Sequence, residues 1–216
     1  MSITTVVDYG MGNLFSVRRS FEHCGVEVRL ADSPAGVLEA EFLVLPGVGA
    51  FRDGMQGLAQ RNLVEPIREY ARAGRPMLGI CLGMQMLFDV SEEFGEHEGL
   101  RLIPGRVVAI SPLGTNGEPH KIPHIGWNEL VPPNVNSGFH DPIMNGVAAG
   151  SSAYFVHSFN AVPTDEEYRV ADCYYDGIRI AATVRSNKTY GCQFHPEKSG
   201  NIGLSIIRNI LNSHIW

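Results

Sequence analysis

A cysteine stands between two glycines in Gly79-Ile80-Cys81-Leu82-Gly83, after the apolar run Pro76-Met77-Leu78 and before Met84-Gln85-Met86-Leu87-Phe88. The pattern has the form of a nucleophile elbow, G-x-S-x-G with sulfur in place of oxygen. Buried strand, sharp turn and apolar helix follow one another, and the small flanking residues let the backbone turn tightly. Such a turn exposes the central side chain. A helix beginning at once would point its unpaired N–H groups and the positive end of its dipole at the sulfur, favouring thiolate over thiol. The stretch is equally compatible with a buried structural cysteine at a strand-to-helix junction, because free cysteine is among the most buried residue types. A nucleophile needs a base, and near the other end of the chain His195 stands two residues before Glu197. At the end of a strand, extended backbone would put both side chains on one side, roughly 6.5 Å apart at Cα and within reach of a carboxylate–imidazole hydrogen bond. Cys81, His195 and Glu197 would then be nucleophile, general acid/base and orienting carboxylate. A further piece is Pro46-Gly47-Val48-Gly49, a loop whose two glycines can turn backbone N–H groups into a cavity, as an oxyanion hole requires.

These residues need a scaffold, and the chain supplies alternating strands and helices. Ile3 to Asp8 reads as a first strand, and Leu14 to Cys24 as a helix with Leu14, Val17, Phe21 and Cys24 on one face. Val26 to Leu30 gives a second strand. Phe42 to Leu45 gives a third, apolar throughout as for a strand covered on both faces. Asp53 to Gln60 and Val64 to Ala73 read as helices, with Gly74 as a stop before the Cys81 strand. The fold class predicted is α/β, with a mostly parallel, doubly wound sheet. The Gly10-x-Gly12 fragment after the first strand lacks the rest of a dinucleotide fingerprint and is not a nucleotide site.

Asp89 to Gly99 reads as an acidic surface loop whose Glu92 and Glu93 could fold back over the elbow. Leu102 to Ile110 reads as a strand, and Ser111 to Pro119 as an exposed loop rich in turn formers. Lys121-Ile122-Pro123-His124-Ile125-Gly126-Trp127-Asn128 is more specific than a generic connection needs to be. Short β-type runs at Ala153–Val156, Tyr168–Tyr175, Ile180–Arg185 and Thr189–Phe194 predict hairpins added antiparallel to the sheet, and an amphipathic helix around Ile202 to Leu211 closes the chain.

With 44% hydrophobic and 19% charged residues over 216 positions, the chain suits one large domain spanning 1–216. A net charge of −6 with scattered Lys and Arg carries no nucleic-acid footprint, and no apolar run is long enough for a bilayer. The four cysteines, Cys24, Cys81, Cys173 and Cys192, show no paired spacing. Together with an N-terminus lacking the marks of a leader, this predicts a reducing, cytoplasmic setting. The eight histidines are dispersed, so no metal site and no cofactor are expected.

The motifs together resemble the class I, triad-type glutamine amidotransferases, marked by G-x-C-x-G-x-Q and, near the C-terminus, F-H-P-E. Here these stand as Gly79-Ile80-Cys81-Leu82-Gly83-Met84-Gln85 and Phe194-His195-Pro196-Glu197. Four other segments place the chain nearest one branch of that family: Asp8-Tyr9-Gly10-Met11-Gly12-Asn13, Pro46-Gly47-Val48-Gly49 where most members have P-G-G, Pro123 to Asn128, and Tyr154-Phe155-Val156-His157-Ser158. The resemblance covers essentially the whole chain and implies the flavodoxin-like fold of the family. It implies L-glutamine as substrate, a Cys81 thioester, and an oxyanion hole from the backbone of Val48, Gly49 and Leu82. Gly47, Gln85, one of Glu92 and Glu93, and the backbone at Ser158 and Phe159 would contact glutamine.

Ammonia released into water would protonate and be lost, so the enzyme needs a dry route to its acceptor. The resemblance implies that a separate (β/α)8-barrel cyclase subunit of histidine biosynthesis docks over the site as a heterodimer partner, with Asn13, Trp127, Tyr154 and Lys198 at the interface. Three rivals stay open at this point. They are a paralogous subunit serving surface-sugar biosynthesis, a catalytically silent scaffold of the same fold, and a cysteine hydrolase for peptides or esters, the last giving Gln85 and the P-G-V-G loop no role.

Overall fold

In a computed structural model that describes residues 3–134 and 138–213, the apolar runs become strands β1 (Ile3–Val7), β2 (Glu27–Ala31), β3 (Phe42–Leu45) and β4 (Met77–Ile80). Between them lie helices α1 (Leu14–His23), α2 (Pro34–Leu38), α3 (Phe51–Gln60) and α4 (Val64–Arg72). β4 runs through Cys81 into a single turn of helix, α5 (Leu82–Met86). The remaining strands are β5 (Phe88–Ser91), β6 (His97–Glu98), β7 (Ile103–Ala109), β8 (His124–Glu129), β9 (Ser152–His157), β10 (Phe159–Pro163), β11 (Arg169–Tyr175), β12 (Ile178–Ser186) and β13 (Thr189–Cys192). They are followed by α6 (Gly200–Ser213).

The main sheet has seven strands in the order β11-β12-β13-β4-β3-β1-β2. The pairs joining β13, β4, β3, β1 and β2 are parallel, whereas β11 and β12 extend the sheet antiparallel. Alternate residues of each central strand feed opposite cores. On β3, Phe42 and Val44 pack with Phe21 of α1 and Ile206, Ile207 and Ile210 of α6. Leu43 and Leu45 pack on the other face with Phe51 and Leu58 of α3 and Ile67 and Tyr70 of α4. A strand covered on both faces has no polar side, which is why β3 and β4 are apolar throughout.

The structure corrects three expectations. The helix after Cys81 stops at Met86, and Asp89 to Gly99 is not a plain surface loop. Phe88, fully buried, starts β5, and the chain returns through β6. The later strands do not all join the main sheet. β10 and β7 pair antiparallel in a second sheet, ordered β10-β7-β5-β6, while β8 and β9 form a separate two-stranded ribbon. Finally, His195 and Glu197 do not lie on extended backbone, because β13 ends at Cys192 and Pro196–Lys198 is a 3-10 turn that begins at His195. Proline fixes φ near its helical value at that position, so the chain turns instead of continuing the strand.

Candidate active site

Parallel strands β4 and β13 are neighbours with Ile80 opposite Cys192, so the chain leaving each strand meets the other at the same end of the sheet. The Cys81 N–H donates to the Cys192 carbonyl at 2.7 Å, tying elbow and C-terminal loop together. Cys81 has φ 53° and ψ −110°, a left-handed backbone that costs a non-glycine residue on the order of 1–3 kcal/mol. The flanking glycines make the turn possible by contact. A Cβ on Gly83 would lie 1.8 Å from the Leu45 carbonyl oxygen, and one on Gly79 would lie 2.7 Å from the Gly83 oxygen and the Met84 nitrogen. The G-x-C-x-G spacing is therefore what lets α5 sit directly against β3 and β4.

Cys81 is not outward-facing as the elbow pattern predicts. It is only 7% exposed, because β9 lies across it. The Val156 carbonyl and the Gln193 side-chain amide are each 3.8 Å from Sγ, the first as acceptor and the second as donor. His195 Nδ1 and Glu197 Oε1 are 2.7 Å apart, with both side chains almost fully buried. His195 Nε2 has no well-aligned hydrogen-bond partner among the described residues. Burial alone would depress His195, but the hydrogen bonds and charges of Cys81 and Glu197 outweigh it and push its pKa up to about 9. An imidazolium beside a sulfur, steadied by a carboxylate, is the arrangement for proton transfer to a leaving group.

The Pro46–Gly49 loop lies against the elbow. A Cβ on Gly47 would meet Tyr9 Oη at 2.4 Å and Leu82 Cβ at 2.9 Å, while Gly49 takes φ 104° and Val48 is 42% exposed. Leu82, as the first residue of α5, has no intrahelical acceptor for its N–H. Tyr9, from the loop after β1, buttresses the arrangement by donating its hydroxyl to the Pro46 carbonyl at 2.7 Å. Burial raises the Tyr9 pKa, and the nearby Cys81 charge adds to the shift. Sequence reasoning passed over Tyr9, whose role becomes visible only once two separate βα loops are seen to touch.

Gln85 is buried, and its Nε2 donates to the Phe159 carbonyl and to Gln193 Oε1, both at 3.0 Å. The two glutamates separate. Glu93 is buried, and its Oε2 accepts the Phe51 N–H at 2.6 Å, securing the start of α3 just after the Pro46–Gly49 loop. Glu92 is exposed and paired with Arg106 at 2.6 Å. Ser158 lies between β9 and β10, its carbonyl accepting from Ile110 at 2.9 Å.

Trp127, Tyr154 and Lys198 come together on the surface beside the site. The Trp127 and Tyr154 rings meet edge-on at 6.0 Å, and Lys198 Nζ lies 5.8 Å from the Tyr154 ring centre. Trp127 is 58% exposed and Ile125, on the same strand face, 57%. Asn13 stands apart, capping α1 through the Ser16 N–H at 3.2 Å; its α1 neighbours Phe15 and Ser16 share a cleft with Glu197. A cavity of about 670 Å³ lies elsewhere, between Asp141, Arg169 and Arg185. Among the described residues no group of His, Cys, Asp and Glu could hold a metal ion, and no helix is long and apolar enough to cross a membrane.

The family model described as Glutamine amidotransferase class-I matches residues 5–213. The chain is 53% identical over 211 residues to "Imidazole glycerol phosphate synthase subunit HisH 1" of Legionella pneumophila strain Paris, covering 98% of this chain and 99% of that protein. It is 48% identical over 205 residues to "Imidazole glycerol phosphate synthase subunit HisH" of Syntrophotalea carbinolica, covering 94% and 97%. Among solved structures, a glutamine amidotransferase superposes with TM-score 0.73 at 14% identity, covering 98% of this chain and 99% of that one. A second, from Thermotoga maritima, gives 0.65 at 16%, covering 99% and 98%. At such identities the two structures speak for the fold alone.

Proposed function

The chain belongs to the class-I glutamine amidotransferase family, and from that premise we propose that it is the glutaminase subunit of an imidazole glycerol phosphate synthase, folded as one domain over 1–216. The observation that carries the reading is the buried His195–Glu197 pair, 2.7 Å apart, held beside a cysteine on a strained elbow. The Cys81 thiolate attacks the side-chain amide carbon of L-glutamine. The C–N bond breaks as the His195 imidazolium gives its proton to the departing nitrogen, and ammonia leaves behind a thioester. His195, now neutral and held by Glu197, takes a proton from water, whose oxygen displaces sulfur and releases glutamate. The N–H of Leu82 and the Val48-Gly49 backbone stabilise the tetrahedral oxyanion. Gly47, Gln85, a carboxylate from Glu92 or Glu93, and the backbone of Ser158 and Phe159 frame the rest of the substrate. Glu93 suits that place better than Glu92, being buried beside the loop that precedes α3.

Ammonia then passes to a (β/α)8-barrel cyclase subunit, which uses it to form imidazole glycerol phosphate in histidine biosynthesis in the cytoplasm. Trp127 and Lys198, exposed on either side of the half-buried Tyr154, form a contiguous patch that fits a partner covering Cys81, and Asn13, apart from them at the start of α1, is assigned to the same interface by the family resemblance alone.

Labelling by a glutamine-analogue diazoketone tests the chemistry. One equivalent adds to Cys81, and because the reagent needs the imidazolium proton, the rate falls as pH rises through about 9. In Glu197→Gln the fall moves to lower pH, since the carboxylate no longer supports the proton. A rate that climbs steadily with hydroxide, as for a free thiol, or a label on Cys24, Cys173 or Cys192, contradicts the assignment.

A further inference from the structure

Two buried histidines that the proposed mechanism does not use face each other across the β8–β9 ribbon. In its register, His124 lies opposite His157, one step from the pair Ile125 and Val156, and Val156 carries the carbonyl that contacts Cys81. His157 Nδ1 is 2.8 Å from the Phe159 carbonyl, which can only accept, so Nδ1 holds the hydrogen. In a neutral ring Nε2 is then an acceptor, and His124 Nδ1, 3.0 Å away, must donate to it. His124 Nε2 is left to accept from Asn128 Nδ2 at 3.3 Å, and the other hydrogen of that amide goes to the Tyr174 carbonyl at 2.9 Å.

The same Phe159 carbonyl accepts from Gln85, Gln85 donates its second hydrogen to Gln193, and Gln193 therefore turns its NH2 toward Cys81 Sγ. Every donor along the line, from Asn128 beside Trp127 to the sulfur, has its direction set by its neighbour. Ring stacking fixes the planes as well: His124 lies between Tyr175 at 4.2 Å and Phe155 at 5.1 Å. Burial pushes His157 down to about 3 and His124 to about 4, so both rings are neutral at neutral pH.

We propose that His157, set by His124, is a positioning residue: it fixes the Phe159 carbonyl, through it the Gln85 amide, and through that the Gln193 amide that faces Cys81, coupling the partner-facing ribbon to the nucleophile. The inference rests on the reading of Cys81 as the nucleophile of a glutaminase. Its test therefore uses two readouts, glutamine turnover in the complex with the cyclase and alkylation of Cys81 by iodoacetamide, which lacks the α-amino-acid end of glutamine and breaks no amide bond.

His157→Phe keeps a ring but has neither nitrogen. It is expected to lower kcat and the iodoacetamide rate about tenfold to hundredfold, the range for losing one hydrogen bond to a charged group, here that of the Gln193 amide to the Cys81 thiolate, with KM changed less than about threefold. His157→Asn places an amide N–H where Nδ1 was and is expected to recover most of both rates. Where His157→Phe does not fold, as judged by circular dichroism, His124→Phe, which keeps the stack but has no donor, takes its place with the same expected losses. Wild-type rates in a folded His157→Phe or His124→Phe overturn the proposal. Equal losses in His157→Phe and His157→Asn also overturn it, since they would mean that only ring volume matters. Parent protein that alkylates at Cys81 but turns over no glutamine overturns the glutaminase reading instead, leaving the alkylation comparison to decide the relay.

Discussion

Cys81→Ala is expected to lower glutamine hydrolysis by the complex by roughly four to six orders of magnitude, the loss seen when a covalent nucleophile is removed from a triad. The fold should survive. Alanine keeps the Cβ that the left-handed turn already accommodates, and it removes only a sulfur whose two polar neighbours are at 3.8 Å. The elbow is held by other groups, namely the Cys81 N–H to the Cys192 carbonyl and the seating of Gly83 against Leu45, none of which involves the side chain. Circular dichroism and a thermal midpoint within a few degrees of the parent, alongside a glutamate-release assay, check both halves. Turnover within tenfold of the parent would remove Cys81 from its place in the mechanism.

Trp127→Ala is expected to weaken binding of the cyclase subunit by about 2 kcal/mol or more, some thirtyfold in Kd, the scale of an aromatic hot spot. More than half of Trp127 is exposed in the isolated chain, and its ring meets Tyr154 edge-on. Truncation therefore costs the fold little, while it removes the largest ring of the patch formed with Ile125, Tyr154 and Lys198. A calorimetric titration of the cyclase with parent and variant reads the difference directly. Unchanged affinity would move the docking surface away from the β8–β9 ribbon.

Much of this site could be read from the chain because steric necessity left a mark at fixed spacing. Gly79 and Gly83 are glycines since α5 touches β3 and β4, and the all-apolar Phe42–Leu45 marks a strand buried on both faces. His195 and Glu197 were visible as a pair, though for the wrong geometrical reason: a 3-10 turn, not extended backbone, brings them within 2.7 Å. What could not be read depends on contacts distant in the chain. The burial of Cys81 is caused by β9, more than seventy residues further on, and no local pattern announces it. Asp89–Ser91 reads as the start of a loop, and Phe88 as the end of a helix, because the longer of the strand's two partners, β7, is supplied only after Gly99 and Leu100. Trp127, read alone, is as compatible with core packing as with a surface anchor. Its ribbon is punctuated by Pro123 and Gly126, and only the alternation of buried His124 with exposed Ile125 and Trp127 resolves it. The histidine pair was hidden for the same reason, since His124 and His157 become neighbours through the cross-strand register alone.

The most direct measurement is glutamate release from L-glutamine by the purified chain, alone and then with the cyclase subunit and its nucleotide substrate. Slow hydrolysis is expected from the isolated protein, where β9 covers Cys81, and a rise on the order of 100-fold in the complex, within the usual scale of coupling between sites. Full turnover by the chain alone, or none in the complex, would contradict it.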